Sequence, residues 1–135
     1  MELKIWENKQ NKKINSELYS KHAEEWAKAI KDSTKDKNKN KNKITQIRRF
    51  YDELLTYEDY LKNGEKYEDL IPYIKMLNAK AAYAEGRKLI TSEFRNMLSQ
   101  MLKEIDEKNT DTFKIIKTFF EAFLGFYKFY DETNN

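Results

Sequence analysis

Cysteine is absent from the 135 residues, histidine and proline occur once each, and there are only three glycines. With no thiol, disulfide cross-links and cysteine catalysis are excluded, and nothing points to an oxidising compartment. His22 has no second imidazole for a metal site and no partners for a catalytic triad. It falls off the densest part of its helical face, which predicts an exposed position. So little glycine and proline leaves scant turn chemistry for a sheet protein. There is no phosphate-cradling glycine loop and no G-x-S-x-G nucleophile turn. No apolar run approaches the roughly 20 residues of a membrane span, and Lys4, Lys9, Lys12 and Lys13 are not followed by the apolar stretch of a signal peptide. The chain therefore reads as cytoplasmic, with no membrane partner. Acidic pairs such as Glu24 with Glu25, Asp52 with Glu53 and Glu58 with Asp59 lie at polar positions of amphipathic segments, where solvation is their expected role. A carboxylate-bridged metal pair in a bundle needs Glu-x-x-His on two helices, which a lone histidine cannot supply. No catalytic residue, cofactor site or metal ligand is assigned.

What the chain has in quantity is charge and aromatic surface. Charged residues make up 36% and hydrophobic ones 39%, and nine Tyr, eight Phe and two Trp require a well-filled core or an adhesive surface. No segment alternates strongly as a strand does, and apolar residues recur at three- and four-residue spacings. The predicted fold is all-α, a single-domain bundle of about five helices. The net charge of +3 is small for a dedicated nucleic-acid binder and is unevenly held. Residues 1–43 carry twelve Lys against seven acids, residues 44–90 eight basic against eight acidic, and residues 91–135 six against eight. The balanced middle argues against a basic DNA-binding bundle.

The predicted organisation is an arm at 1–15 followed by a bundle domain at 16–135. Leu3, Ile5 and Trp6 are the arm's only sizeable apolar cluster, so it is expected to be flexible, or ordered by a partner, with Trp6 packed. Leu18, Tyr19, Ala23, Trp26, Ala27 and Ile30 predict a first helix over 16–30. The Lys/Asn-rich segment 31–43 has no apolar side chain to bury and is expected to be a flexible loop, either a solvated linker or a salt-sensitive contact for a phosphate backbone. A second helix is predicted over 44–62, ended by Asn63 and Gly64. Pro72 is tolerated in a first turn, so a third helix is expected to start near Asp69 or Leu70 and to lie centrally in the bundle. Thr91 or Ser92 is expected to cap a fourth helix ending at Asn109, and Thr110 a fifth. The fifth has an apolar arc, from Phe113 to Tyr130, broader than one bundle face needs. It is either buried deeply or meets another protein in part.

Beside the apolar faces of the second and third helices lie Arg48, Arg49, Lys80 and Arg87. Lys80 and Arg87 are about two helical turns apart and share a stripe with Tyr73, Met76 and Tyr83. On spacing alone the simpler reading is structural. Arg48 is four residues before Asp52 and Arg49 four before Glu53, which suits i, i+4 surface pairs worth about 0.2–0.5 kcal/mol each. Lys80 and Arg87 can lay their methylene stems along the core edge.

The run ITQIRRFYDELL contains Gln46, Ile47, Arg48, Phe50 and Tyr51; LNAKAAYAEGRK contains Leu77, Lys80, Tyr83, Gly86 and Arg87. Followed by the aromatic segment FFEAFLGFYKFY, this order resembles the small all-helical subunit of the type III-A CRISPR effector, the Csm complex. It departs at Asn78, where that family often has lysine. The resemblance covers roughly the last two thirds of the chain and rests on patterns of helix side chains. It implies a non-catalytic subunit of an RNA-guided antiviral complex, self-associating head to tail in several copies beside larger subunits, along the channel for guide RNA and target RNA. It also implies that Arg48, Arg49, Lys80 and Arg87 touch sugar and phosphate without reading sequence. The third-helix aromatics beside them are expected to pack rather than stack on bases. The alternative is a helical protein-interaction or scaffold module without nucleic-acid contact, whose last helix docks a partner. The RNA reading requires the four cations to converge on one exposed patch not cancelled by Asp52, Glu53 and Glu85.

Overall fold

A computed structural model describes residues 1–133; Asn134 and Asn135, counted in the expected bundle domain, lie outside the described residues. Two short antiparallel strands, β1 (Trp6–Asn8) and β2 (Lys13–Ile14), precede six α-helices. These are α1 (Lys21–Asp32), α2 (Ile44–Lys62), α3 (Tyr67–Lys75), α4 (Leu77–Gly86), α5 (Ser92–Lys103) and α6 (Asp111–Thr133). The fold is the all-α bundle read from the sequence, with the anticipated third helix divided at Met76. α3 starts at Tyr67, so Pro72 lies inside it, unable to donate to the Glu68 carbonyl. Met76 keeps right-handed helical angles, and its carbonyl accepts from the Ala79 N–H at 2.9 Å and the Lys80 N–H at 3.1 Å. The division is thus a tightened turn, not a loop.

The core is built on α6, which packs on α1 and α2. Phe113, Ile116, Phe119, Phe120, Phe123 and Tyr127 are all buried on it. Around Phe120 the ring centroids of Tyr51, Phe94 and Phe123 lie at 5.7, 6.2 and 5.8 Å. The Tyr51 hydroxyl donates to Glu121 at 2.9 Å, and burial, with that carboxylate, pushes its pKa up to about 12. It therefore stays a donor at neutral pH. Most of the broad arc of α6 is buried, while Phe126 is half-buried and Phe129 is exposed. The pair α3–α4 forms an outer layer and not the centre, because its apolar face (Ile71, Ile74, Leu77, Ala81, Ala84) is one-sided.

The N-terminal arm differs from the flexible segment expected. Leu3 and Ile5 are buried, the Leu3 N–H donates to Gln100 Oε1 at 2.7 Å, and Trp6 Nε1 donates to Glu104 at 3.1 Å, so the arm straps across α5. The same strap covers His22, which is buried at 7% exposure and not exposed as expected. Its Nε2 accepts from the Lys4 N–H at 3.0 Å and Trp26 Nε1 at 3.2 Å. That leaves Nδ1 to carry the proton of a neutral ring.

Segment 31–43 also departs from expectation. A 3₁₀ turn spans Asp36–Asn38, Thr34 is buried, and Asn42 is only 1% exposed. Asn42 has φ +55°, a left-handed conformation that asparagine tolerates better than most residues. Its side chain accepts from the Thr91 N–H at 2.9 Å and donates to Thr91 Oγ1 at 2.8 Å. Its own N–H donates to the Leu89 carbonyl at 3.0 Å, and its carbonyl accepts from the Tyr127 hydroxyl at 2.7 Å. Thr91 Oγ1 also accepts from the Phe94 N–H at 3.3 Å, capping α5 as expected. Composition misses this residue because its partners lie far along the chain.

Asn42→Ala removes two buried side-chain hydrogen bonds and puts a Cβ-bearing residue without a polar tip at positive φ. A loss of about 3 kcal/mol in denaturant unfolding is expected; a loss under about 0.5 kcal/mol would show that these buried hydrogen bonds of Asn42 do not stabilise the fold. His22 gives a pH signature. Burial lowers its pKa from 6.5, outweighing Glu25, so the unfolded chain takes up the proton first. Stability should be full above about pH 6.5 and fall as pH drops below it. His22→Leu should be less stable at neutral pH but should flatten the change between about pH 7.5 and 5.5; an unchanged slope would assign the titration to another group.

Candidate nucleic-acid interface

The position of the candidate cations is set where α4 ends. Lys88 takes φ +63°, the Lys88 N–H bonds the Glu85 carbonyl at 2.9 Å, and the Leu89 N–H bonds the Ala84 carbonyl at 2.9 Å. This is a left-handed helix stop with lysine where glycine is usual, and it makes Arg87 the C-terminal cap. The bond from Asn42 to the Leu89 carbonyl then ties the end of α4 to the start of α2. As a result Arg49 of α2, Lys80 of α4 and its cap Arg87 line one groove of 220 Å³, together with Gln46, Glu53 and Tyr83.

The four candidate cations do not all converge. Arg48 lies outside the groove's lining and pairs with Asp52 at 3.8 Å, the i, i+4 pair its spacing allows. The matching pair of Arg49 with Glu53 does not form, because Glu53 is held by Lys80. That hydrogen bond, chiefly, raises the Lys80 pKa above the ordinary lysine range, so Lys80 is charged at neutral pH. The second carboxylate oxygen of Glu53 is buried and has no hydrogen-bond partner among the described residues. Arg87 lies over the Tyr83 ring, 5.7 Å from its centroid. Glu85 is turned away from the groove to Arg95 at 3.5 Å. Glu53 therefore offsets Lys80, whereas Arg49 and Arg87 have no ion-pair partner among the described residues.

The stripe of aromatics beside these cations is exposed, contrary to the expected packing. Tyr73, Met76 and Tyr83 are 57%, 45% and 66% exposed, because the opposite face of α3–α4 is the one that meets the core. Glu53 also lines a second groove, of 430 Å³, with Thr56, Tyr57, Tyr60, Leu70 and Tyr73. Sequence reasoning does not single out Tyr57 and Tyr60, although Arg49, Glu53, Thr56 and Tyr60 follow one another at helical spacing. A cavity of 620 Å³ lies between the N-terminal hairpin and the α5–α6 connection, where Glu104, Asp106 and Asp111 offset three of the four lysines Lys9, Lys12, Lys103 and Lys114. Among the described residues no group of three or more His, Asp or Glu is placed to hold a metal ion, and no helix is long and apolar enough to cross a membrane.

No curated protein and no solved structure matches the chain. The sequence model of one family, Csm2 Type III-A, matches residues 13–133, which takes in all six helices and both segments that form the groove. The chain belongs to the Csm2 Type III-A family and is a small subunit of a type III-A CRISPR effector.

Proposed function

We propose that this chain is a non-catalytic, cytoplasmic subunit that stacks in several copies along the guide and target RNA of the effector complex, in contact with other Csm subunits. Arg49, Lys80 and Arg87 contact the sugar–phosphate backbone in the groove between α2 and α4, and Arg48 flanks them from the outer side of α2. The observation that supports this reading best is the groove itself, where long cationic side chains from two helices line one exposed channel. Such contacts carry no sequence information, which suits a complex whose base pairs are made by the guide. Each phosphate contact contributes little alone, and repetition along one strand supplies the affinity. The chain's several copies would associate as a filament or dimer. A second reading, a protein-interaction module without RNA contact, draws on the apolar surface of Tyr19, Ala122, Phe126 and Phe129 between the start of α1 and α6.

The assembled complex separates the two. An Arg48→Ala, Arg49→Ala, Lys80→Ala, Arg87→Ala variant should assemble with normal subunit content but hold target RNA less tightly. Its logarithmic salt dependence should be shallower by about 0.7–0.9 for each phosphate no longer neutralised. Unchanged affinity and slope would make the four cations surface charges; a wild-type chain that joins no RNA-bearing complex would favour the protein module. Glu53→Gln provides the converse test. Releasing Lys80 from its carboxylate should raise RNA affinity by up to about fivefold. A fall in affinity would instead make Glu53 a contact in its own right.

A further inference from the structure

Four of the seven large hydrophobic side chains that stand exposed among the described residues, Tyr60, Tyr73, Met76 and Tyr83, lie along the α2, α3 and α4 face. They accompany the groove cations and are not scattered over the surface. Two grooves that share Glu53 lie side by side along α2 from Arg49 to Tyr60, a trough of about 16 Å with room for a few nucleotides. Its two ends differ in chemistry. Arg49 and Arg87 stand at one end, Lys80 and Glu53 in the middle, and Tyr57, Tyr60 and Tyr73 at the other, where the lining holds no lysine or arginine among the described residues. Anionic groups are therefore favoured at one end only, and flat apolar faces at the other.

We propose that this tyrosine end receives an unpaired nucleobase of an RNA strand whose phosphates lie on Arg49, Lys80 and Arg87. The inference rests on the RNA reading above and adds base stacking to it. A phosphodiester strand has the matching asymmetry, an anionic backbone on one side and a π-face on the other, and stacking on tyrosine tolerates every base. In a duplex those faces are covered by neighbouring bases, so the trough selects unpaired RNA. The 430 Å³ groove falls within the range of small-ligand sites, and Tyr57 and Tyr60, with centroids 6.2 Å apart and planes at 62°, wall it from α2 while Tyr73 closes it from α3. Arg87 over Tyr83 extends the aromatic and cationic surface at the phosphate end.

Binding of the full chain at low salt is measured against single-stranded RNA, an RNA duplex and an abasic ribose-phosphate oligomer. The variants are Tyr60→Ala with Tyr73→Ala, Tyr60→Phe with Tyr73→Phe, and Arg49→Ala with Lys80→Ala and Arg87→Ala. The alanine pair should lose about tenfold in affinity for single-stranded RNA with an unchanged salt slope, while the phenylalanine pair keeps it. The abasic oligomer should bind wild type and the alanine pair alike. If the alanine pair binds single-stranded RNA as wild type does while the cation variant is weakened, stacking is overturned and the RNA reading stands. If neither variant changes binding, this trough is not the RNA site and both readings of it fail. Should the alanine pair expel another subunit from the assembled complex with RNA affinity intact, the face belongs to a protein partner. No binding of any polymer by the wild-type chain overturns the inference and leaves backbone contact to the assembled-complex test.

Discussion

Burial of the aromatic stripe of α6 is the constraint from which the rest of the arrangement follows. Fully burying a phenylalanine contributes about 1.5–3 kcal/mol, and Phe113, Phe119, Phe120 and Phe123 are all fully buried on one helix. No single neighbour can cover such a wide face. α1 and α2 take its flanks, and α5 brings Phe94 against Phe120 and Phe123. With those positions taken, α3–α4 forms an outer layer whose far side is left to solvent. The exposed tyrosines and cations of that layer are therefore a consequence of how the core closes.

Asn42 is the polar counterpart of that core. It joins Leu89 at the end of α4, Thr91 at the cap of α5 and Tyr127 on α6 through a single buried residue. The cap network continues to α1, since Thr91 Oγ1 accepts from both Asn42 and Phe94 and so has its own proton for Ser33 Oγ at 2.9 Å. A buried polar group of this kind stabilises only when fully partnered, and here every donor and acceptor of Asn42 is used. Its functional consequence is geometric, because the same residue brings the start of α2 and the end of α4 together at the groove.

The sequence carried the local parts of this structure. α2 begins at Ile44 and ends at Lys62, as its apolar spacing and Gly64 indicate, and Gly64 takes the positive φ expected of a helix stop. Thr91 caps α5 for the same local reason. What was not legible depends on partners distant in the chain. Asn42 is chemically the same as Asn38 and Asn40 beside it, and only Thr91, 49 residues on, distinguishes it. His22 lies off the main apolar face of its own helix, yet the N-terminal strap covers it from outside. In the groove, spacing identified Lys80 and Arg87 as one stripe but could not decide whether Arg49 would hold Glu53. That depended on Lys80 approaching from another helix and taking the carboxylate.

Electrostatics and shape together single out the α2 and α3–α4 face, although the lysine-rich segment 31–43 holds more charge. Charge alone would favour that segment; a lined channel with aromatic walls favours the groove. The most direct measurement is photo-crosslinking of the assembled effector to its guide and target RNA, with crosslinked peptides of this chain identified by mass spectrometry. Crosslinks on residues 46–60 and 73–87, with Tyr60, Tyr73 or Tyr83 among the modified positions, are the expected result. Crosslinks confined to segment 31–43, the N-terminal arm or the outer face of α6 would contradict it.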